Sequence, residues 1–124
     1  MNRYFDIALN LASDRFSGER DKVIADALTR NVNYFNIVCS SLNELDFVKD
    51  LNDRYGQNSC FTLGVHPHNA NELNGNTLKS LKDYIKIHQP SAVGETGLDF
   101  FRNLSSYENQ INAFEQQILS LIHI

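Results

Sequence analysis

The sequence predicts an α/β fold built on a parallel sheet, and three observations carry that reading. Short apolar runs alternate with longer helical patterns four times along the chain. The runs begin near residues 4, 34, 60 and 91, giving intervals of 30, 26 and 31 residues, the size of right-handed βαβ crossovers. No repeat, low-complexity stretch or linker divides the 124 residues, which predicts one structural unit spanning residues 1–124.

The first strand is Tyr4-Phe5-Asp6-Ile7-Ala8-Leu9, followed by a loop from Asn10 to Gly18. A helix fits Glu19 to Thr29, with Val23, Ile24, Ala27 and Leu28 on one face. After the break at Asn31-Val32-Asn33, residues 34–39 form the second strand. Ser41 and Glu44 have capping-box spacing and open the second helix, whose stripe is Leu42, Leu45, Val48 and Leu51 and whose stop is Gly56. Residues 60–65 form the third strand, ended by His66-Pro67-His68 because proline forbids regular continuation. The third helix runs from Thr77 to about His88 with Leu78, Leu81, Tyr84 and Ile85 inward, and Pro90 closes it. Residues 92–95 form a short fourth strand, and Ser105 with Glu108 reads as a second capping box, opening a helix that carries Ile111, Phe114, Ile118 and Leu121.

Composition bounds the function classes. Eleven Lys and Arg against 15 Asp and Glu leave a net charge of −4, so no basic footprint holds nucleic acid or a membrane by bulk electrostatics. A phosphodiester substrate stays open, because bound metal ions supply a positive field locally. At 42% hydrophobic residues the chain can build a core. No apolar stretch approaches the ~18–20 residues of a membrane span, and Asp6 interrupts the N-terminus before a signal-peptide run develops. The expectation is a soluble protein with no membrane partner, located in the cytoplasm or the nucleus. Cys39 and Cys60 are expected as reduced, buried thiols. They sit at opposite ends of adjacent parallel strands, too far apart for a bridge.

Parallel α/β folds collect functional residues at the carboxyl ends of their strands. Sorted by that rule, strand one delivers Asp6 and Asn10, strand three His66 and His68, and strand four Glu95, Asp99 and Arg102. Glu95 stands at the end of an apolar strand between Gly94 and Gly97, where a carboxylate is costly unless a metal, a cation or backbone amides neutralise it. His66 and His68 are either metal ligands, loop hydrogen-bonders or phosphate contacts. Asp6 suits a hydrogen-bond acceptor behind the site or a purely structural one. Arg102 suits a phosphate oxygen, and His88 at a helix C-terminus suits a dipole role. No Gly-x-Gly-x-x-Gly, Walker loop or nucleophile elbow is present.

Gly64-Val65-His66-Pro67-His68 and Gly94-Glu95-Thr96-Gly97-Leu98-Asp99-Phe100-Phe101-Arg102 together resemble the TatD-type metal-dependent deoxyribonucleases. The likeness extends to Phe5-Asp6-Ile7-Ala8-Leu9-Asn10-Leu11 and to the helix carrying Gln110, Phe114, Gln117 and Leu119. It implies a (β/α)₈ TIM barrel, here an N-terminal half-barrel of about four βα units, that hydrolyses DNA phosphodiesters with 3′→5′ exonuclease polarity. It implies divalent metal ions, Mg²⁺ first with Zn²⁺ or Mn²⁺ as alternatives, and single-stranded DNA or 3′ ends as substrate. By the same resemblance Glu95 is a metal ligand, His66 and His68 are catalytic on the substrate side, Arg102 and Asn10 bind substrate, and Asp6 and Asp99 support from behind.

Two departures stand out. Many relatives carry a His-x-His pair where this chain has Ala8 and Asn10; a subgroup with Asn-Leu there keeps nuclease activity, so the change bears on metal number and affinity. The family's remaining ligands come from later strands, and His123 cannot replace them, since it falls within the fourth helix pattern. The expectation is therefore a chain with little or no activity of its own. The alternatives are a non-catalytic half-barrel that self-associates or binds a partner through its open sheet edges, and an amidohydrolase-like hydrolase of small molecules.

Overall fold

A computed structural model describes residues 2–122. His123 and Ile124 lie outside the described residues, so the expectation for His123 has no structural counterpart. Four βα units follow one another: β1 (Tyr4–Leu9), α1 (Arg20–Thr29), β2 (Val32–Ile37), α2 (Leu45–Tyr55), β3 (Ser59–Leu63), α3 (Gly75–His88), β4 (Ala92–Val93) and α4 (Tyr107–Ile122). The sheet order is β1-β2-β3-β4 with every neighbouring pair parallel. This is a half-barrel, with strands β1 and β4 at its edges.

The sequence boundaries shift where a single residue makes the turn. Asn31 alone adopts φ 66°, a conformation asparagine tolerates, so β2 starts at Val32 and not Tyr34. Asn74 caps α3, accepting from the backbone N–H groups of Asn76 and Thr77 while Thr77 Oγ1 accepts from Asn74 N. The helix therefore opens at Gly75, two residues before the expected Thr77. Ser41 caps a short 3₁₀ turn before α2, but Glu44 reaches back to the N–H and hydroxyl of Ser40, one residue earlier than a capping box requires. Gly56 ends α2 at φ 50° as expected.

The core lies between the sheet and the helices. Phe35 and Ile37 of β2 and Leu63 of β3 meet Val48 and Leu51 of α2 and Leu81 and Ile85 of α3. Leu11 and Ile24 extend the core toward β1. Cys39 is buried and Cys60 half-buried, and both are free thiols; burial pushes the Cys39 thiol up to about 11. Among the described residues no helix is long and apolar enough to cross a membrane.

The fourth helix departs from its apolar pattern. Its buried residues are Gln110, Ala113, Gln117 and Ser120, while Ile118, Leu119, Leu121 and Ile122 are exposed. The cap is Ser106, whose Oγ accepts from Asn109 N. The expected Ser105 is instead buried, donating to His68 O at 2.8 Å.

Candidate functional site

The carboxyl ends of β2, β3 and β4 converge because their backbones keep pairing past the regular strands. Val38 N donates to Leu9 O, His66 N to Ser40 O at 2.9 Å, and Gly94 N to Leu63 O. Glu95 N then leaves β3 and donates to Cys39 O at 2.8 Å, which draws the end of β4 toward β2. The approach is tight: a Cβ built on Gly64 would stand 2.7 Å from Gly94 backbone atoms. Glycine at 64 is thus what allows β3 and β4 to close at this rim.

His66 caps the 3₁₀ turn Pro67–Glu72 and His68 sits within it, their rings 4.2 Å apart edge to face. His66 Nδ1 accepts the His68 N–H at 3.1 Å. A neutral imidazole that accepts at Nδ1 carries its hydrogen on Nε2, so His66 offers a donor. Burial, and then the neighbouring charge of His68, lower its pKa and favour that neutral form. His68 Nε2 pairs with Asp99 Oδ2 at 2.6 Å, while Asp99 Oδ1 accepts from the N–H groups of Phe101 and Arg102. The Arg102 backbone bond first and the His68 side chain second hold the Asp99 carboxyl down at about 2. Arg102 Nη1 stands 3.8 Å from the same carboxylate with its side chain largely in solvent.

The chain thus brings His66, His68, Asp99 and Arg102 together with Glu95 at one rim. The Glu95 carboxylate is half-buried and has no hydrogen bond or ion pair among the described residues, and the Thr96 hydroxyl next to it is buried without a partner. Asp6 accepts from Ala8 N within its own exposed strand, and Asn10, at the exposed end of β1, accepts Ser13 N through its carbonyl. His88 is half-buried against the Tyr84 ring. A cavity of about 580 Å³ opens elsewhere, between α3, the start of β4 and the end of α4, and none of the rim residues lines it.

A model of the family described as TatD related DNase matches residues 5–120. The chain belongs to that family. Among curated TatD relatives, the "3'-5' ssDNA/RNA exonuclease TatD" of Erwinia billingiae is 37% identical over 114 residues, covering 92% of this chain and 44% of the relative. The protein of the same name from Escherichia coli K12 is 37% identical over 115 residues with the same coverage. Among solved structures, a TatD family hydrolase from Entamoeba histolytica superposes with TM-score 0.86 at 26% identity, covering 98% of this chain and 47% of that one. An uncharacterized amidohydrolase from Saccharomyces cerevisiae superposes at 0.84 and 27%, covering 95% and 43%. The chain spans less than half the length of the curated TatD relatives it matches.

Two rim contributors escaped the strand-end sorting. Gln117 grips Val65 at both backbone groups: Val65 N donates to Oε1 at 2.8 Å and Nε2 donates to Val65 O at 3.1 Å. Gln110 grips Asp99 likewise, at 2.8 and 3.2 Å, and also donates to Ser105 O. Both side chains are 1% exposed. The seven-residue spacing of two glutamines on one helix was the available signal. Ser40, whose backbone carbonyl accepts from His66 N and Asn69 Nδ2, was likewise missed, because a main-chain acceptor leaves no side-chain signal.

Proposed function

We infer that residues 1–124 are the N-terminal part of a single TatD-type barrel domain, and that the whole protein is a metal-dependent 3′→5′ exonuclease acting on single-stranded DNA. The observation that carries this reading is the unengaged Glu95 carboxylate, standing at a strand end beside two oriented imidazoles. In such a site Glu95 is a metal ligand, with Mg²⁺ the expected ion and Zn²⁺ or Mn²⁺ the alternatives. His66 donates from Nε2 to a phosphate oxygen, the Asp99-held His68 fixes the second contact, and Arg102 and Asn10 bind the flanking phosphates.

The donors present do not complete a metal centre. Among the described residues no three His, Cys, Asp or Glu side chains are grouped to hold an ion, whereas catalytic sites typically use about three protein ligands. His66 Nδ1 is engaged by a backbone amide and His68 Nε2 by Asp99, which leaves the Glu95 carboxylate and the His68 Nδ1 lone pair as free donors at the rim, short of three. The 124-residue chain alone is therefore expected to leave a single-stranded oligonucleotide intact in magnesium buffer. Magnesium-dependent degradation that disappears in Glu95→Ala would overturn that expectation.

A second reading rests on the likeness to an amidohydrolase at 27% identity: a rim of this chemistry also serves hydrolysis of small molecules. Profiling the whole protein against oligonucleotides and against cyclic amides and esters separates the two. The open edges β1 and β4 further support self-association of the isolated chain.

A further inference from the structure

We propose that α4 is the positioning element of the rim, and that its two buried glutamines set the two imidazoles separately: Gln117 through Val65 for His66, and Gln110 through Asp99 for His68. The proposal rests on the nuclease reading for the purpose of the rim, but its geometry stands without it.

Val65 lies just past β3 and Asp99 in the loop after β4, both in irregular backbone where ladder partners run out and each N–H and C=O needs another partner. One primary amide carries an acceptor and two donors, so a single glutamine satisfies both groups of one residue and fixes the local peptide planes. Gln117 does this immediately before His66, whose ring must keep Nδ1 against the His68 N–H for Nε2 to remain a donor. Gln110 does it for the residue whose carboxylate holds His68 Nε2. The two residues are seven apart on one helix, so one rigid element fixes both loops relative to each other. Ser105, at the same helix start, ties down His68 O as well. Burying two amides at 1% exposure on a helix that leaves Ile118 and Leu121 in solvent is a costly choice for packing alone.

The test uses the 124-residue chain and nitrogen-15 NMR, with no dependence on nuclease activity, so that its failure is distinct from a failure of the nuclease reading. Gln110→Met is expected to speed exchange of the Asp99 amide about tenfold, the scale of losing one buried hydrogen bond, and to change the ring-nitrogen pattern of His68 while His66 keeps its own. Gln117→Met is expected to do the reverse, at the Val65 amide and the His66 ring. Where a methionine variant fails to fold, Gln110→Asn or Gln117→Asn, which withdraws the amide from the loop without burying a charge, is read for the same separation. If both variants disturb both rings alike, or lower the melting temperature with both ring patterns unchanged, the glutamines are structural only and the proposal is overturned.

Discussion

Asp99 receives two backbone N–H groups on one oxygen and an imidazole on the other, and that donor set explains its low pKa. Folding takes it to about 2, below the ordinary aspartate value of 3.8. A carboxyl depressed by folding stabilises the fold above its unfolded value, and that contribution fades as pH falls through about 2. Asp99 should therefore titrate near 2 in a carbon-13 pH series, and in Asp99→Asn the acid sensitivity of unfolding between about pH 4 and 2 should diminish. Titration near 3.8 would mean the three donors do not hold it. Gly64 gives the second prediction at this scale. Its missing Cβ leaves room for Gly94, so Gly64→Ala is expected to cost about 1–3 kcal/mol of stability in denaturant unfolding. That Glu95, His66, His68, Asp99 and Arg102 gather at one rim was legible in the sequence, because they end or follow the third and fourth apolar strand patterns. Their pairings were not: helical spacing sets Gln110 and Gln117 on one face of α4, but that Gln110 meets Asp99 and Asp99 meets His68 follows from loop geometry.

At the scale of elements, α4 shows how a pattern can mislead. Ile111, Phe114, Ile118 and Leu121 recur at helical spacing, yet the buried line is Gln110, Ala113, Gln117 and Ser120. The glutamines win the inner face because unsatisfied loop backbone lies beneath them, and a buried peptide group without a partner costs more than an exposed leucine. The two serines at the helix start divide the same way. Ser106→Ala removes the cap and should cost about 1 kcal/mol without moving His68 resonances. Ser105→Ala removes the bond to His68 O and should shift them. The order and type of all eight main elements were readable from alternation and spacing. Their ends were less so: Asn31 and Asn74 moved two starts, and β4 keeps only Ala92 and Val93 because its chain turns toward Cys39 directly afterwards.

For the whole molecule the exposed area is informative. A compact monomer of 14.1 kDa exposes about 6,700 Å², and this chain exposes 7748 Å². The excess, roughly 1,000 Å², is about what one partner contributes to a stable interface. Exposed apolar side chains on the β1 edge, where Tyr4, Phe5 and Ile7 are 56%, 50% and 71% exposed, belong to it, as do those on the outer face of α4 and Phe101 in the loop before it. The isolated chain is expected to associate in a concentration-dependent way by light scattering, and Ile7→Lys should reduce that association. The half-barrel and its open edges at β1 and β4 were foreseeable from four βα intervals, whereas the bare outer face of α4 was not, because its apolar spacing predicted burial. The central claim is that these residues supply the substrate-side half of a TatD-type nuclease site. It is tested most directly by a chimera in which residues 5–120 replace the matching half of the Escherichia coli relative, assayed on a 3′-labelled single-stranded oligonucleotide with added magnesium. The account predicts metal-dependent removal of the 3′ label, lowered in Glu95→Gln by more than the roughly 10–100-fold that loss of an outer partner costs. A folded chimera that degrades the oligonucleotide equally well with Glu95→Gln would contradict it.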